Sequence, residues 1–83
     1  MVIGNGVTSI GEFAFQQCYN LTSVVIGNNV TNIGYEAFQD CESLKNIAFK
    51  GTRMQWKKIR LGYWDPDTTS AEKIACTDGE IIL

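Results

Sequence analysis

Histidine is absent from this 83-residue chain, and proline occurs only once. Without histidine no Cys–His nucleophile pair can form. The commonest zinc ligand is missing too, and the three cysteines include no Cys-x-x-Cys spacing, which argues against zinc. Charge is also sparse: charged residues make up 19% and the net charge is −2. Nucleic-acid binding needs clustered Lys and Arg, and the strongest basic run, Lys57-Lys58-Ile59-Arg60, is too short for that and reads as a solvated helix face. No apolar stretch reaches the roughly 18 residues of a membrane span. The segment 1–6 has neither the basic region nor the apolar core of a signal peptide. Hydrophobic residues still make up 45%, enough for one small folded domain.

A repeat is written into the chain. Val7, Thr8, Ile10, Gly11, Ala14, Phe15, Gln16, Cys18 and Leu21 recur at Val30, Thr31, Ile33, Gly34, Ala37, Phe38, Gln39, Cys41 and Leu44, always at the offset that separates Val7 from Val30. Leu21, Val24 and Ile26, then Leu44, Ile47 and Phe49, occupy Leu-x-x-Leu-x-Leu positions. A fixed period of about 20 to 29 residues with that spacing marks a leucine-rich-repeat solenoid. Residues 2–6 align with residues 25–29, so the chain opens inside a repeat and reads as a fragment of a longer array. The expected division is a partial repeat at 1–6, full repeats at 7–29 and 30–52, and a closing segment at 53–83.

Within each repeat the period-two alternation around Val24 and Ile26, and around Ile47 and Phe49, predicts a half-buried strand. Ser23, Val25, Asn46, Ala48 and Lys50 then point outward on a solvent-facing sheet. Gly27-Asn28-Asn29 reads as a turn, with residues that tolerate positive φ. A second extended segment follows at residues 7–10 and 30–33, and residues 12–17 and 35–40 are each expected to form about one helical turn. Phe15 and Phe38 are expected to stack, as equivalent residues of neighbouring coils.

After Phe49 the pattern stops. Thr52-Arg53-Met54-Gln55 is a capping box and predicts a helix over 53–60, with Met54, Trp56 and Ile59 making apolar contacts and Gly62 ending it. Residues 63–70 read as a loop. Residues 72–76 and 80–83 read as two strands turning at Asp78-Gly79. An atypical terminal unit is needed to close an open repeat core, with Trp56, Trp64, Ile74 and Ile81 as its lids.

The run Val-Thr-x-Ile-Gly-x-x-Ala-Phe-x-x-Cys-x-x-Leu, in variant form at 7–21 and again at 30–44, resembles the BspA-type leucine-rich repeat of bacterial surface proteins. The tail at Gly51-Thr52, Gln55-Trp56, Ile59 and 76–79 resembles the closing unit of such proteins. The resemblance implies an α/β repeat fold: a short right-handed solenoid of stacked strands and single helical turns, closed by a helix and a β-hairpin. It also implies a secreted or surface-displayed, non-enzymatic module for adhesion to host matrix or cell-surface proteins. It brings no catalytic residue and no cofactor.

Several side chains could carry chemistry. Repeat-equivalent Cys18 and Cys41 read as two thiols in a ladder, with a disulfide as the alternative, since adjacent coils place Cα atoms ~5 Å apart. Asp65 and Asp67, and Asp78 with Glu80, read as turn carboxylates rather than acid–base pairs, and a calcium site at 65–67 lacks ligands. Trp56, Tyr63 and Trp64 read as core closure. Phe13, Tyr19 and Tyr35 fall at variable positions and form the alternative contact patch to the sheet face. A spacer with no ligand of its own is the competing function. Self-association through the open N-terminal coil is also expected, because its strand edge and apolar surface are uncovered.

Overall fold

The chain winds into stacked coils, the first three each contributing one strand to a long sheet and one to a shorter sheet. The structure, a computed structural model, describes residues 1–65 and 69–83. The long sheet runs in the order β1-β3-β5-β7-β8, where β1 is Val2–Ile3, β3 is Ser23–Ile26, β5 is Asn46–Phe49, β7 is Lys73–Cys76 and β8 is Gly79–Ile82. The short sheet is β2-β4-β6, formed by Ser9–Ile10, Asn32–Ile33 and Arg60–Leu61. All pairings between coils are parallel, and only the β7–β8 hairpin is antiparallel among the described strands.

The register follows the repeat. Val2 pairs with Val25, Ser9 with Asn32 and Ser23 with Asn46, each pair separated by one full repeat. Val24, Ile26, Ile47 and Phe49 are buried on the inner face while Val25 and Ala48 are half-buried on the outer one, so the period-two reading of these strands holds. The core continues with Ile10 and Ile33 from the short sheet, and Leu44, Cys41 and Phe38 from between the sheets. Phe15 stacks on Phe38 with ring centroids 5.3 Å apart and planes 10° from parallel, and Trp64 packs against Phe38 at 5.3 Å, tilted by 31°.

The arcs at 12–17 and 35–40 are not helical turns, which corrects the sequence expectation. Each is a run of tight turns, such as Ala14 N–H to Gly11 O and Gln16 N–H to Phe13 O. Phe13, Gln17, Glu36 and Asp40 sit at positive φ, between 49° and 61°, which interrupts any right-handed helix. The amide groups of Phe13, Phe15 and Gln17 donate instead to Tyr35, Ala37 and Gln39 of the next coil. The Gly27-Asn28-Asn29 turn needs no positive φ. It closes with Val30 N–H to Gly27 O, and the Asn29 amide donates to Asn5 O of the preceding coil.

Helix α1 is shorter than the sequence predicts, spanning Arg53–Lys57. Its capping box is formed: the Thr52 hydroxyl accepts from Gln55 N–H, and the Gln55 side chain accepts from Thr52 N–H. The helix stops before Arg60 because Arg60 and Leu61 are drawn into β6, where Arg60 N–H donates to Thr31 O. Gly62 therefore does not end a helix. It lies where coils touch, and a Cβ there would stand 2.6 Å from Tyr35 N. Trp56 is buried edge-on against Phe49 at 5.4 Å, whereas Met54 is exposed. Asp78 accepts from Arg53 N–H at 2.9 Å, joining the hairpin turn to the helix N-terminus.

Candidate functional site

The strand alternation that buries Val24 and Ile47 leaves the other row of side chains on the outside of the long sheet. Ser23 and Asn46 stand opposite each other, and Val25, Ala48 and Ala75 form the next row. Ser23, Val25, Asn46 and Ala48 line a shallow depression of about 160 Å³, together with Lys45, Lys73 and Ala75. Lys50, the fifth expected residue, lies beyond the end of β5 and does not line it. Lys73 and Ala75 were missed because the sequence marks β7 as a strand without saying that it lies beside β5. Lys73 is held by Glu80 at 2.6 Å across the hairpin, and this contact raises the lysine above its ordinary value.

The alternative patch is rearranged. Phe13 and Tyr35 meet edge-to-face with centroids 5.5 Å apart. Tyr63 joins them, 6.0 Å from Tyr35, and all three rings are exposed. Tyr19 is exposed as well but makes no ring contact with them, so it leaves the patch. Tyr63 is not a core-closing residue: it is 60% exposed, while its neighbour Trp64 turns inward. A signal for it was available, since Leu61-Gly62-Tyr63 repeats Ile33-Gly34-Tyr35 and the register pairs Ile33 with Leu61. The last coil is longer than the earlier ones, and the change of period hid the match.

Cys18, Cys41 and Cys76 are free thiols. Cys41 is buried and its thiol donates to Phe15 O at 3.0 Å; burial, the largest cause, pushes it above the ordinary thiol value. Asp78 pairs with Arg53 and Glu80 with Lys73, so each of these turn carboxylates has its own cation. The Asp65–Asp67 pair lies partly outside the described residues. Among the described residues no three His, Cys, Asp or Glu side chains gather where a metal ion could be held, and no helix is long and apolar enough to cross a membrane.

Compared with known proteins, residues 1–60 match the profile of the family described as BspA type leucine rich repeat region (6 copies). No curated protein and no solved structure matches the chain.

Proposed function

Since the chain belongs to the BspA-type leucine-rich-repeat family, we propose that it is a non-enzymatic protein-binding module of a secreted or surface-displayed bacterial protein, with the outer face of the long sheet receiving the partner. The observation that carries this reading is the low profile of that face. Across three parallel strands its side chains are Ser23, Val25, Asn46, Ala48, Lys73 and Ala75, around an open depression. Solenoids bind through extended surfaces of this kind, and small residues between Lys45 and Lys73 let an incoming protein surface approach closely. The partner class is a host matrix or cell-surface protein, as the family resemblance implies.

Residues 1–52 supply the repeats, and residues 53–83 close the end of the array. Support for that division is the change of register: Ser23 pairs with Asn46, but Ile47 pairs with Ile74 and Asn32 with Arg60, and then β8 reverses direction. The added length holds α1, whose Trp56 covers Phe49.

Binding of the purified chain to a panel of immobilised extracellular-matrix proteins tests the proposal. Ala48→Glu is expected to abolish binding while leaving the thermal melt in place. Undiminished binding by that variant would remove the site from the sheet face, and no binding by the unaltered chain to any member would favour a spacer without a ligand.

A further inference from the structure

We propose that the ridge formed by Phe13, Tyr35 and Tyr63 is a second binding site, which takes arginine side chains from a basic segment of a partner protein. It is separate from the sheet face and does not depend on it.

Three coils each present one aromatic ring at this edge, and the rings touch in sequence at 5.5 and 6.0 Å. Their exposures are 39%, 49% and 60%, so they form a continuous aromatic surface rather than scattered side chains. The backbone fixes them in place. Added Cβ atoms at Gly34 and Gly62 would run into the main chain of Glu12 and of Tyr35, so only glycine allows the coils to approach this closely beside the rings. A row held in this way loses little freedom on binding.

The charge around the ridge selects the occupant. The three contributing stretches read Gly-Glu-Phe-Ala at 11–14, Gly-Tyr-Glu-Ala at 34–37 and Gly-Tyr-Trp-Asp at 62–65. Each holds a carboxylate and none holds a lysine or arginine. Glu12 is exposed, adjoins Phe13 and lies with its main chain against Gly34. Glu36, next to Tyr35, is only 4% exposed; its carboxylate accepts from Asp65 N–H at 2.8 Å. Neither Glu12 nor Glu36 is in an ion pair, the pairs among the described residues being Arg53–Asp78 and Lys73–Glu80. The exposed Glu12 carboxylate beside the Phe13 ring favours a cation at this edge. Aromatic faces carry negative quadrupole density as well, so the carboxylates and the rings attract the same kind of group. Arginine fits better than lysine because its planar guanidinium stacks on a ring while its N–H groups reach a carboxylate. An acidic segment would be repelled, and a neutral one would leave the carboxylates without a role.

Isothermal titration with a hexa-arginine peptide at low salt, against a hexa-glutamate control, tests the site. Tyr35→Ala and Tyr63→Ala should each weaken binding roughly two- to five-fold, the range for an exposed cation–π contact. Tyr35→Phe and Tyr63→Phe should bind as the unaltered chain does. Glu12→Gln, an exposed change that leaves the fold intact, should weaken binding, whereas Glu42→Gln and the sheet-face variant Ala48→Gln should not. The proposal is overturned if the Ala variants bind unchanged, if the Phe variants lose as much as the Ala variants, or if Glu42→Gln weakens binding as much as Glu12→Gln. Capture by phosphatidylcholine vesicles without hexa-arginine binding would assign the ridge to a quaternary-ammonium lipid headgroup and likewise overturn it.

Discussion

Phe15 and Phe38 lie with their rings 10° from parallel and 5.3 Å apart, although a whole repeat separates them in the chain. Phe15 is half-buried, while Phe38, between Phe15 and Trp64, is 1% exposed. Phe38 therefore contacts both rings, stacked on Phe15 and tilted by 31° against Trp64, and ties three coils together. Phe38→Ala is expected to cost about 3 to 5 kcal/mol, as truncation of a large buried aromatic does. Chemical denaturation measures it, and a loss below ~0.5 kcal/mol would mean that the ring is not part of the core.

The Phe15–Phe38 stack was legible in the sequence because it depends only on the repeat offset. Strands β3 and β5 were legible for a similar reason: alternation at Val24, Ile26, Ile47 and Phe49 is local and sets the buried face directly. The arcs were not, because their conformation is decided between coils. Phe13 and Glu36 take left-handed backbone that their residue types do not advertise, and the Phe13 amide bonds to Tyr35 O on the neighbouring coil, as the Glu36 amide does to Tyr63 O. Of the candidate site, the outward row of β3 and β5 was readable and Tyr63 had a signal in the Leu61-Gly62-Tyr63 match, but Lys73 and Ala75 were not readable. Their positions follow from how the last coil, lengthened by α1, returns to register with β5 and β4.

Cys41 provides a pH-dependent prediction. Burial raises its thiol above the ordinary value of 9.0, so the folded state favours the neutral form. Its contribution to stability is complete below that value and is lost as pH rises above it, because the unfolded chain then releases the proton first. The stability difference between the unaltered chain and Cys41→Ala is therefore expected to shrink as pH rises from 8 towards 10.5, measured by urea melts; a constant difference would refute it. Alkylation should also reach the half-buried Cys18 before Cys41.

Gly62 and Gly6 give a paired test of coil spacing. A Cβ at Gly62 would meet Tyr35 N at 2.6 Å and the Gly34 carbonyl carbon at 2.8 Å, whereas nothing lies within 4 Å of one at Gly6. Gly62→Ala should cost about 1 to 3 kcal/mol, as overpacking does. Gly6→Ala should stay within roughly 0.5 kcal/mol, as surface changes do. Equal thermal melts for the two variants would contradict the close approach.

Strand β1 has a neighbour on one side only, and the concavity beside it, about 290 Å³, is lined by Ile3, Val7, Ile10, Ala14 and Phe15 among others. Produced as residues 1–83 alone, the chain is expected to pair through this end, since an open strand edge beside apolar surface favours association. Size exclusion with light scattering at micromolar concentration checks this. A dimer that Val2→Lys disperses is the expected result, and a monomer at all concentrations would count against it.

Every step from one coil to the next in residues 1–49 closes a loop of the same length, because each paired position lies one repeat from its partner. Loop-closure entropy depends on that length, so each step costs the same. The last step, which brings Ile74 beside Ile47, spans a somewhat longer loop but costs almost the same, since the dependence is logarithmic. The coils should therefore zip up in near-equal increments, and the order of assembly is set by the strength of each seam. The seam between β5 and β7 has further strands on both flanks, while the one between β1 and β3 lies at the edge of the sheet. In the monomer, amide protons should thus exchange fastest in the first coil and slowest at β5, a gradient along the axis that the uniform spacing alone would not produce.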